Sequence, residues 1–289
     1  LPDAGAEAPV GAGVLLVGVM DKVAIYGFLR YCLPLFPGAS RALAPLVLVL
    51  AVAGIIYGAL LAVGQSDMKR FVAYTSVAHF GFIALGVFAF STQAQAGAVL
   101  YMINHGISTG MLFIVIGMLM ARGGSRLVSD YGGVAVLAPV LAGMTLVAGL
   151  SSLALPGTNS FVSEFLVLIG AYPRQPVFTI IATAGMILAA LYVLWFYQRV
   201  MHGPVRGTAV VGALDGPGTA TAPEASAQRS RARFPDLSVR EVAVLAPLVA
   251  LILLLGFFPQ PVLNVISPSV GATLTEVGMS DPVVGQGGN

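Results

Sequence analysis

Five ionisable residues lie inside segments that are otherwise apolar enough to cross a membrane. They are Asp21, Lys22, His79, His105 and Glu164. A charged side chain at membrane depth costs about 3 kcal/mol or more unless it has a partner or water, so such residues are candidates for function. Lysine, histidine and glutamate can each take up and release a proton. We therefore predict that proton transfer is the chemistry of these residues.

Lys22 lies near the middle of its apolar segment, too deep for its side chain to reach either membrane surface easily. Asp21 directly precedes it, and neighbouring residues of a helix point about 100° apart, so the two side chains need not pair. Two interpretations remain open. The pair either neutralises itself and only fixes packing, or Asp21 modulates a lysine that exchanges a proton.

The two histidines differ in their helical neighbours. Thr75 and Ser76 precede His79 on the same helical face, but a single histidine is commonly a hydrogen-bonded core residue. His105 belongs to a polar stripe with helical spacing. The stripe consists of Tyr101, Asn104, His105, Ser108 and Thr109. In lipid it must face protein or water, so it predicts either a proton path through His105 or a hydrogen-bonded seam between helices.

Glu164 follows a predicted helix break. The segment from Val134 to Tyr172 has about 39 residues, which would span roughly 58 Å as a straight helix, nearly twice the hydrocarbon thickness. It must therefore break or tilt, and we predict the break at Pro156 and Gly157, with residues 158–160 capping the second half-helix. Glu164 then lies near the positive end of that half-helix, as in transporter ion sites. The alternative is a proline kink whose acid only helps to cap the helix.

The composition indicates an all-α, polytopic membrane protein. Of 289 residues, 57% are hydrophobic and only 9% are charged, against roughly 25% charged residues in soluble domains. About seven segments can span a membrane: Val10–Leu33, Leu43–Val63, Phe71–Phe90, Ala96–Ala121, the broken Val134–Tyr172, Val177–Val200 and Val242–Phe258. The net charge of +2 argues against nucleic-acid binding. Since Cys32 is the single cysteine, we expect no metal or redox cofactor in this chain.

The basic residues predict the orientation. One side of the membrane receives Lys69, Arg70, Arg122, Arg126, Arg199, Arg206, Arg229, Arg231, Arg233 and Arg240, whereas the other receives Arg30, Arg41 and Arg174. By the positive-inside rule, the N-terminal end is cytoplasmic and the C-terminus lies outside. An aromatic belt of Tyr192, Trp195, Phe196 and Tyr197 then falls at the cytoplasmic end of the sixth span.

The chain divides into four regions. Residues 1–202 carry the first six spans, and residues 203–238, rich in Gly, Ala, Pro, Thr and Ser, predict a flexible cytoplasmic loop. Ser238 and Glu241 have capping-box spacing at the start of the last span, residues 239–258. Residues 259–289 predict an extracytoplasmic tail, with an interfacial segment followed by disorder. Because the chain begins with Leu and no basic leader, we expect a fragment of a longer protein.

Four stretches resemble the antiporter-like membrane subunits of respiratory complex I and related cation/proton antiporters and membrane hydrogenases. They are LPDAGAEAPVGAGVLLVGVMDKVAIYGFLRYCLPLFP, QSDMKRFVAYTSVAHFGFIALG, YMINHGISTGMLFIVIG and LPGTNSFVSEFLVL. The resemblance implies helices 8 to 14 of a fourteen-helix subunit, with residues 1–202 holding helices 8 to 13. Of the fold's two inverted five-helix repeats, it implies that the second is complete here and the first is mostly missing.

The resemblance also implies roles for individual residues. Lys22 is similar to the lysine that links the two half-channels, and His79 and His105 to the relay of the second half. Glu164 is similar to the terminal group, through which a proton leaves toward the outside or couples to the next subunit. Most family members carry lysine there, and the M-type subunit (chain 4 in mitochondria) carries glutamate. Two positions depart from the pattern: Gly5 replaces a frequent histidine, and Asp21 is unusual beside the key lysine.

The function implied by the resemblance is proton translocation in the membrane arm of NADH-quinone oxidoreductase, in the bacterial inner membrane. Electron transfer would occur on other subunits, which hold NAD, FMN, iron-sulfur clusters and quinone. The expected partners are neighbouring membrane-arm subunits, lipid and protons. Two alternatives stay open: a subunit of a Na⁺(K⁺)/H⁺ antiporter or membrane-bound hydrogenase, and a scaffold that does not conduct.

Overall fold

The computed structural model describes residues 2–211 and 234–282, and these residues form a helical bundle. In chain order the helices are α1 (Pro2–Glu7), α2 (Val10–Leu35), α3 (Pro37–Val63), α4 (Met68–Phe88), α5 (Thr92–Gly123), α6 (Val134–Leu137), α7 (Pro139–Ser152), α8 (Asn159–Ala171), α9 (Pro176–Met201), α10 (Thr208–Val211), α11 (Val239–Phe257) and α12 (Gln260–Glu276). Within those residues α2, α3, α4, α5, α9 and α11 are long and apolar enough to cross a membrane. The predicted broken span is formed by α7 and α8. The all-α membrane fold is thus confirmed.

Three of the described helices begin at side chains that accept free backbone N–H groups. The side chains of Asp67 and Ser91 accept backbone N–H groups in the first turns of α4 and α5. At α11 the predicted capping box is present: Ser238 donates its N–H to Glu241 Oε2 at 2.7 Å, and its hydroxyl accepts from the Glu241 N–H. These caps place helix starts within a few residues of the sequence prediction.

Helices α4 and α5 occupy the centre of the bundle. In their most apolar windows 78% and 67% of residues are buried, whereas only 17% are buried in α2 and in α11. The outer helices instead expose large apolar side chains such as Leu46, Ile187 and Leu254. An apolar exterior suits lipid, so the polar residues of α4 and α5 are kept inside protein.

Two glycines let α5 approach its neighbours at backbone distance. A Cβ atom at Gly97 would lie 2.7 Å from the Val167 nitrogen of α8, and one at Gly106 would lie 2.7 Å from the Gly18 oxygen of α2. Ordinary contact begins at 3.4 Å. These close crossings fix the distances between side chains that α2, α5 and α8 carry.

Helix α2 departs from regular α-helical geometry on both sides of Lys22. Residues Leu16–Met20 and Phe28–Cys32 form π-helical turns. Within the first of these, the Asp21 N–H donates to the Leu16 carbonyl at 3.1 Å. Such turns insert an extra residue per turn, rotate the side chains that follow and commonly occur at functional sites. The apolar pattern of Val10–Leu33 gave no sign of them.

The loops that carry most of the basic residues meet at one end of the bundle, here called the basic end. Met68 N–H donates to the Arg126 carbonyl at 2.9 Å, and Gly133 N–H donates to the His202 carbonyl at 3.1 Å. The loops after α3, α5 and α9 are therefore neighbours. This is the grouping that the counting of spans predicts, although the side of the membrane on which it lies stays a prediction.

Ion pairs and hydrogen bonds attach α1 to this basic end. Arg126 pairs with Asp67 at 2.9 Å and with Glu7 at 3.2 Å. The Lys69 ammonium is buried and donates to the Ala6 carbonyl at 2.5 Å. Because α1 leads directly into α2, these contacts help to position the helix that carries Lys22.

The other loops meet at the opposite end of the bundle. Ser91 donates to the Gly170 carbonyl at 2.7 Å, and the Thr92 N–H donates to Asp281 at 2.7 Å. The loops after α4, α8 and α12 are therefore adjacent there. The grouping agrees with the predicted alternation of the spans.

The predicted tail contains a helix. Within residues 259–282, α12 packs through Ile266 and Val270 against Ala96 and Leu100 of α5. An interfacial segment was expected, and the structure makes it a regular helix docked on the bundle. Residues 283–289, for which disorder was predicted, lie outside the described residues, as do residues 212–233 of the predicted loop.

The predicted aromatic belt is wrong for two of its members. Tyr192 is 1% exposed and its ring contacts the Phe71 ring edge to face at 5.9 Å, while Phe196 stacks on Phe71 at 4.6 Å. Trp195, by contrast, is 42% exposed. The reason is helical geometry: residues four apart share a face, and this face of α9 packs against α4.

Candidate functional site

Lys22 is bound from two sides at the crossing of α2 and α5. Its ammonium lies 2.8 Å from Asp21 Oδ1 and 2.7 Å from His105 Nδ1, and it also donates to the Val17 carbonyl. The Phe80 ring lies 5.5 Å from the same nitrogen, within cation–π range. The Asp21 and Lys22 side chains therefore do pair, and the lysine extends from that pair to a histidine on another helix.

His79 bonds to a residue that the sequence patterns did not identify as part of the site. Its Nε2 lies 3.2 Å from the Tyr192 hydroxyl of α9. The hydroxyls of Thr75 and Ser76, expected beside His79, donate instead to the Val72 carbonyl of their own helix. Hydroxyls in a helix commonly bond back in this way, so helical spacing alone did not reveal the partner of the imidazole.

The two histidines and a tyrosine lead from Lys22 to Glu164. The ring centroids of His105 and His79 are 5.3 Å apart, and those of His79 and Tyr101 are 5.9 Å apart. The Tyr101 hydroxyl donates to Glu164 Oε2 at 3.1 Å. Both histidines, Tyr101 and Glu164 are at most 3% exposed. The structure thus brings the predicted residues together in one buried line.

Glu164 lies farther into α8 than predicted. The helix begins at Asn159, so Glu164 is five residues past its start and beyond the free N–H groups of the first turn. Thr158, expected as a cap, makes no side-chain cap bond and donates to the Leu155 carbonyl at 2.7 Å. The contact that holds the carboxyl group is therefore the Tyr101 hydroxyl rather than the helix end.

The break between α7 and α8 contains Pro156 and Gly157 but begins before them. Helix α7 ends at Ser152, Ala154 has a φ of 59°, and Gly157 has a φ of 95°. A positive φ is unusual for alanine. The chain thus leaves the helix through Ala154, and proline and glycine prevent it from resuming before Asn159.

Part of the polar stripe of α5 covers this break. Asn104 donates to the Asn159 carbonyl at 2.7 Å and to Ser163 at 3.1 Å. Ser108 lies 2.5 Å from the Ser151 hydroxyl, at the end of α7. The stripe therefore contains both predicted arrangements: these residues form a seam between helices, while Tyr101 and His105 belong to the buried line.

Several buried polar atoms along the stripe have no hydrogen-bond partner within the described residues. They include His105 Nε2, Asn104 Oδ1 and Thr109 Oγ1. Nearly all buried polar atoms in proteins are hydrogen-bonded. His105 thus uses one ring nitrogen for Lys22, and its other ring nitrogen has no hydrogen-bond partner among the described residues.

Residues 2–211 and 234–282 contain no group of three or more His, Cys, Asp or Glu side chains arranged to hold a metal ion. Cys32 is a free, exposed thiol. The chemistry that the described site offers is that of hydrogen-bonded acids and bases.

Sequence reasoning missed Tyr192 and Phe80 as parts of the site. A signal for Tyr192 was present, because Tyr192 and Phe196 are four residues apart and so share a helical face. That spacing indicates an inward-facing pair more than a belt. Phe80 directly follows His79, and only the distance between α2 and α4 shows that it contacts Lys22.

Comparison with known proteins identifies the family of this chain and several of its relatives. The family described as "NADH:quinone oxidoreductase/Mrp antiporter, TM" matches residues 1–192. Subunit M of NADH-quinone oxidoreductase from Mycobacterium tuberculosis (strain H37Rv) is 46% identical over 282 residues, which cover 98% of this chain and 47% of that protein. The corresponding subunit from Rickettsia bellii is 38% identical over 270 residues, 93% of this chain and 50% of that one.

Solved structures of other membrane complexes contain chains with a similar fold. A chain of respiratory complex I from Thermus thermophilus superposes with a TM-score of 0.77 at 30% identity, covering 93% of this chain and 52% of that one. A chain of the Mrp complex from Dietzia sp. has a TM-score of 0.77 at 22% identity, with 96% and 57% covered, which shows a shared fold. This chain spans about half the length of the relatives it matches. It belongs to the NADH:quinone oxidoreductase/Mrp antiporter family of membrane proteins, and its relatives place it with the subunit M type.

Proposed function

We propose that this chain translocates protons as a membrane-arm subunit of a bacterial NADH-quinone oxidoreductase. The observation that carries the proposal is the buried line from Lys22 through His105, His79 and Tyr101 to Glu164. Its two ends are direct contacts of 2.7 Å and 3.1 Å between titratable side chains. Chains of titratable side chains inside a membrane bundle commonly serve as proton relays.

Lys22 is the proton donor at the first end of the line. When its ammonium gives a proton to His105 Nδ1, a neutral amine and an imidazolium result. Asp21, 2.8 Å from the lysine, provides a fixed negative charge nearby in either state. Asp21 therefore modulates the exchange, and the lysine remains the group that carries the proton.

The middle of the line requires movement or water. His105 and His79 make ring contact at 5.3 Å between centroids without a direct hydrogen bond. A water bridging the ring nitrogens, or rotation of one ring, passes the proton between them. His79 and Tyr101 make ring contact at 5.9 Å between centroids, so a second bridging water passes the proton from His79 to the Tyr101 oxygen. As it does so, Tyr101 gives its own hydroxyl proton to the Glu164 carboxylate and ends unchanged.

Glu164 is the terminal group of the line. It lies on α8, five residues past the start of the half-helix that follows the break, and transporters also build ion sites from broken helices. From Glu164 the proton leaves toward the opposite end of the bundle or influences the next subunit by its charge.

The proposed location is the bacterial inner membrane, with the basic end of the bundle in the cytoplasm and the C-terminus outside. Electron transfer occurs on other subunits, which hold NAD, FMN, iron-sulfur clusters and quinone. Neighbouring antiporter-like subunits and lipid cover the exposed apolar faces of the outer helices.

The test is Glu164→Gln in the full-length subunit within its assembled complex. Glutamine keeps the shape of the side chain but cannot be charged, so we expect a reduced proton-to-electron ratio in proteoliposomes, with assembly intact. Glu276→Gln is the matched control, because Glu276 is exposed on α12 and away from the line. An unchanged ratio in Glu164→Gln would overturn the proposal.

A cation/proton antiporter is the second candidate, favoured by the shared fold with the Mrp complex chain. Glutamate at position 164 and the subunit M relatives favour the oxidoreductase. Sodium-dependent proton flux in vesicles without an electron donor would support the antiporter. Neutral substitutions at Lys22 and Glu164 that change assembly alone would support a scaffold.

A further inference from the structure

A small crevice enters the bundle at the basic end, between α3, α4 and α9. Arg199 lies exposed and Gln65 half-buried at its mouth, and Ala62 and Phe71 form its walls. Tyr192 lines the same crevice at its buried side. Its volume is about 10 Å³, which is at the lower limit for one water molecule.

Tyr192 lies between the crevice and His79. Its hydroxyl lies 3.2 Å from His79 Nε2, while its side chain lines the crevice. The Phe71 ring, 5.9 Å away and edge to face, holds the tyrosine ring in place. A single buried side chain thus separates a crevice at the basic end from the imidazole of His79.

We propose that Tyr192 is the gate of a proton uptake route from the basic end to His79. The inference rests on the proposed function and specifies how protons enter its line of residues. As a water in the crevice gives a proton to the Tyr192 oxygen, the tyrosine gives its own hydroxyl proton to His79 Nε2. The tyrosine ends neutral, the histidine is protonated, and the hydroxide left behind is neutralised from solvent.

The route joins the line at its centre. His79 contacts His105 on one side and Tyr101 on the other, at 5.3 Å and 5.9 Å between ring centroids. Protons from Tyr192 and from Lys22 therefore converge on the histidine pair. This helical repeat thus takes up protons from the basic end by itself, in addition to receiving them through Lys22.

The first test is Tyr192→Phe in the complete subunit within the assembled complex. Phenylalanine retains the ring packing against Phe71 and removes only the hydroxyl. We expect the proton-to-electron ratio in proteoliposomes to fall, but by less than in Glu164→Gln, because protons still enter the line through Lys22. Tyr197→Phe is the matched control, because Tyr197 lies on the same helix and its ring contacts His202 at the basic end.

A second variant separates a proton gate from a residue that only orients His79. Ala62→Val narrows the crevice and leaves the Tyr192 hydroxyl in place, so the uptake route predicts the same loss. A loss in Tyr192→Phe with a normal ratio in Ala62→Val overturns the route, because the tyrosine then acts through the orientation of the imidazole. A matching loss in both variants, with Tyr197→Phe unchanged, supports the route.

The outcome for Glu164→Gln distinguishes this inference from the proposed function. If Glu164→Gln lowers the ratio and Tyr192→Phe does not, the uptake route is refuted and the proposed function stands. If Glu164→Gln leaves the ratio unchanged, both are refuted.

Discussion

Substitution of Gly97 by alanine should disconnect Tyr101 from Glu164 without altering either residue. Gly97 lies where α5 contacts the backbone of α8, four residues before Tyr101. A Cβ atom there would lie 2.7 Å from the Val167 nitrogen and 2.8 Å from the Leu166 Cβ. Both atoms belong to α8 near its main chain, so a change of rotamer cannot relieve the overlap.

The expected displacement follows from these distances. Because ordinary contact begins at 3.4 Å, α8 must retreat from α5 by about 0.7 Å. The Tyr101–Glu164 bond, now 3.1 Å long, would then exceed the 3.5 Å beyond which a polar contact generally needs a bridging water. Overpacking of this kind costs about 1–3 kcal/mol of stability. Misplacement by about 1 Å has slowed enzymatic steps by as much as about 100-fold.

The assay is the proton-to-electron ratio of the assembled complex in proteoliposomes, together with its thermal stability. Gly143→Ala in α7 is the matched control, since a Cβ atom at Gly143 meets nothing within 4 Å. We expect a reduced ratio for Gly97→Ala and a normal one for Gly143→Ala. A stable Gly97→Ala complex with a normal ratio would refute the argument that this close packing keeps the line connected.

Two further variants test separate contacts. Asp21→Asn removes the carboxylate 2.8 Å from Lys22, in a pair whose side chains are 9% and 12% exposed. Because the lysine then lacks its charged partner, the substitution should lower stability by about 3–5 kcal/mol. Thermal denaturation of the purified complex should show this loss, and Lys22→Met added to Asp21→Asn should recover most of it; a double variant no more stable than the single one would argue against the pair. Ser238→Ala removes the cap of α11 and should cost about 1 kcal/mol of stability, with the proton-to-electron ratio unchanged. A lower ratio would show that α11 takes part in proton movement.

The helices and the break could be predicted from the sequence because they depend on local properties. Apolar runs identified the spans, excess length required a break in the fifth span, and Pro156 and Gly157 indicated its place. Helical spacing placed Tyr101 and His105 on one stripe. Each of these patterns belongs to a single segment, so it can be recognised without knowing how the segments pack.

The contacts between helices could not be predicted in the same way. The Lys22–His105 contact depends on the π-helical turns of α2 and on the close approach of Gly106 to Gly18. Neither leaves a periodic signal in an apolar sequence. Tyr192 was placed in an aromatic belt because composition near a membrane surface does not reveal which helical face is turned inward.

The measurement that tests the central claim most directly compares Lys22→Met, Glu164→Gln and the double variant in the assembled complex. NADH oxidation and proton translocation are recorded together in proteoliposomes. Their ratio then reports proton translocation independently of any change in the rate of electron transfer. If both residues belong to one line of proton transfer, each single variant lowers the proton-to-electron ratio, and the double variant lowers it no further than Glu164→Gln alone. Losses that add, or a ratio that neither substitution changes, would contradict a single relay from Lys22 to Glu164.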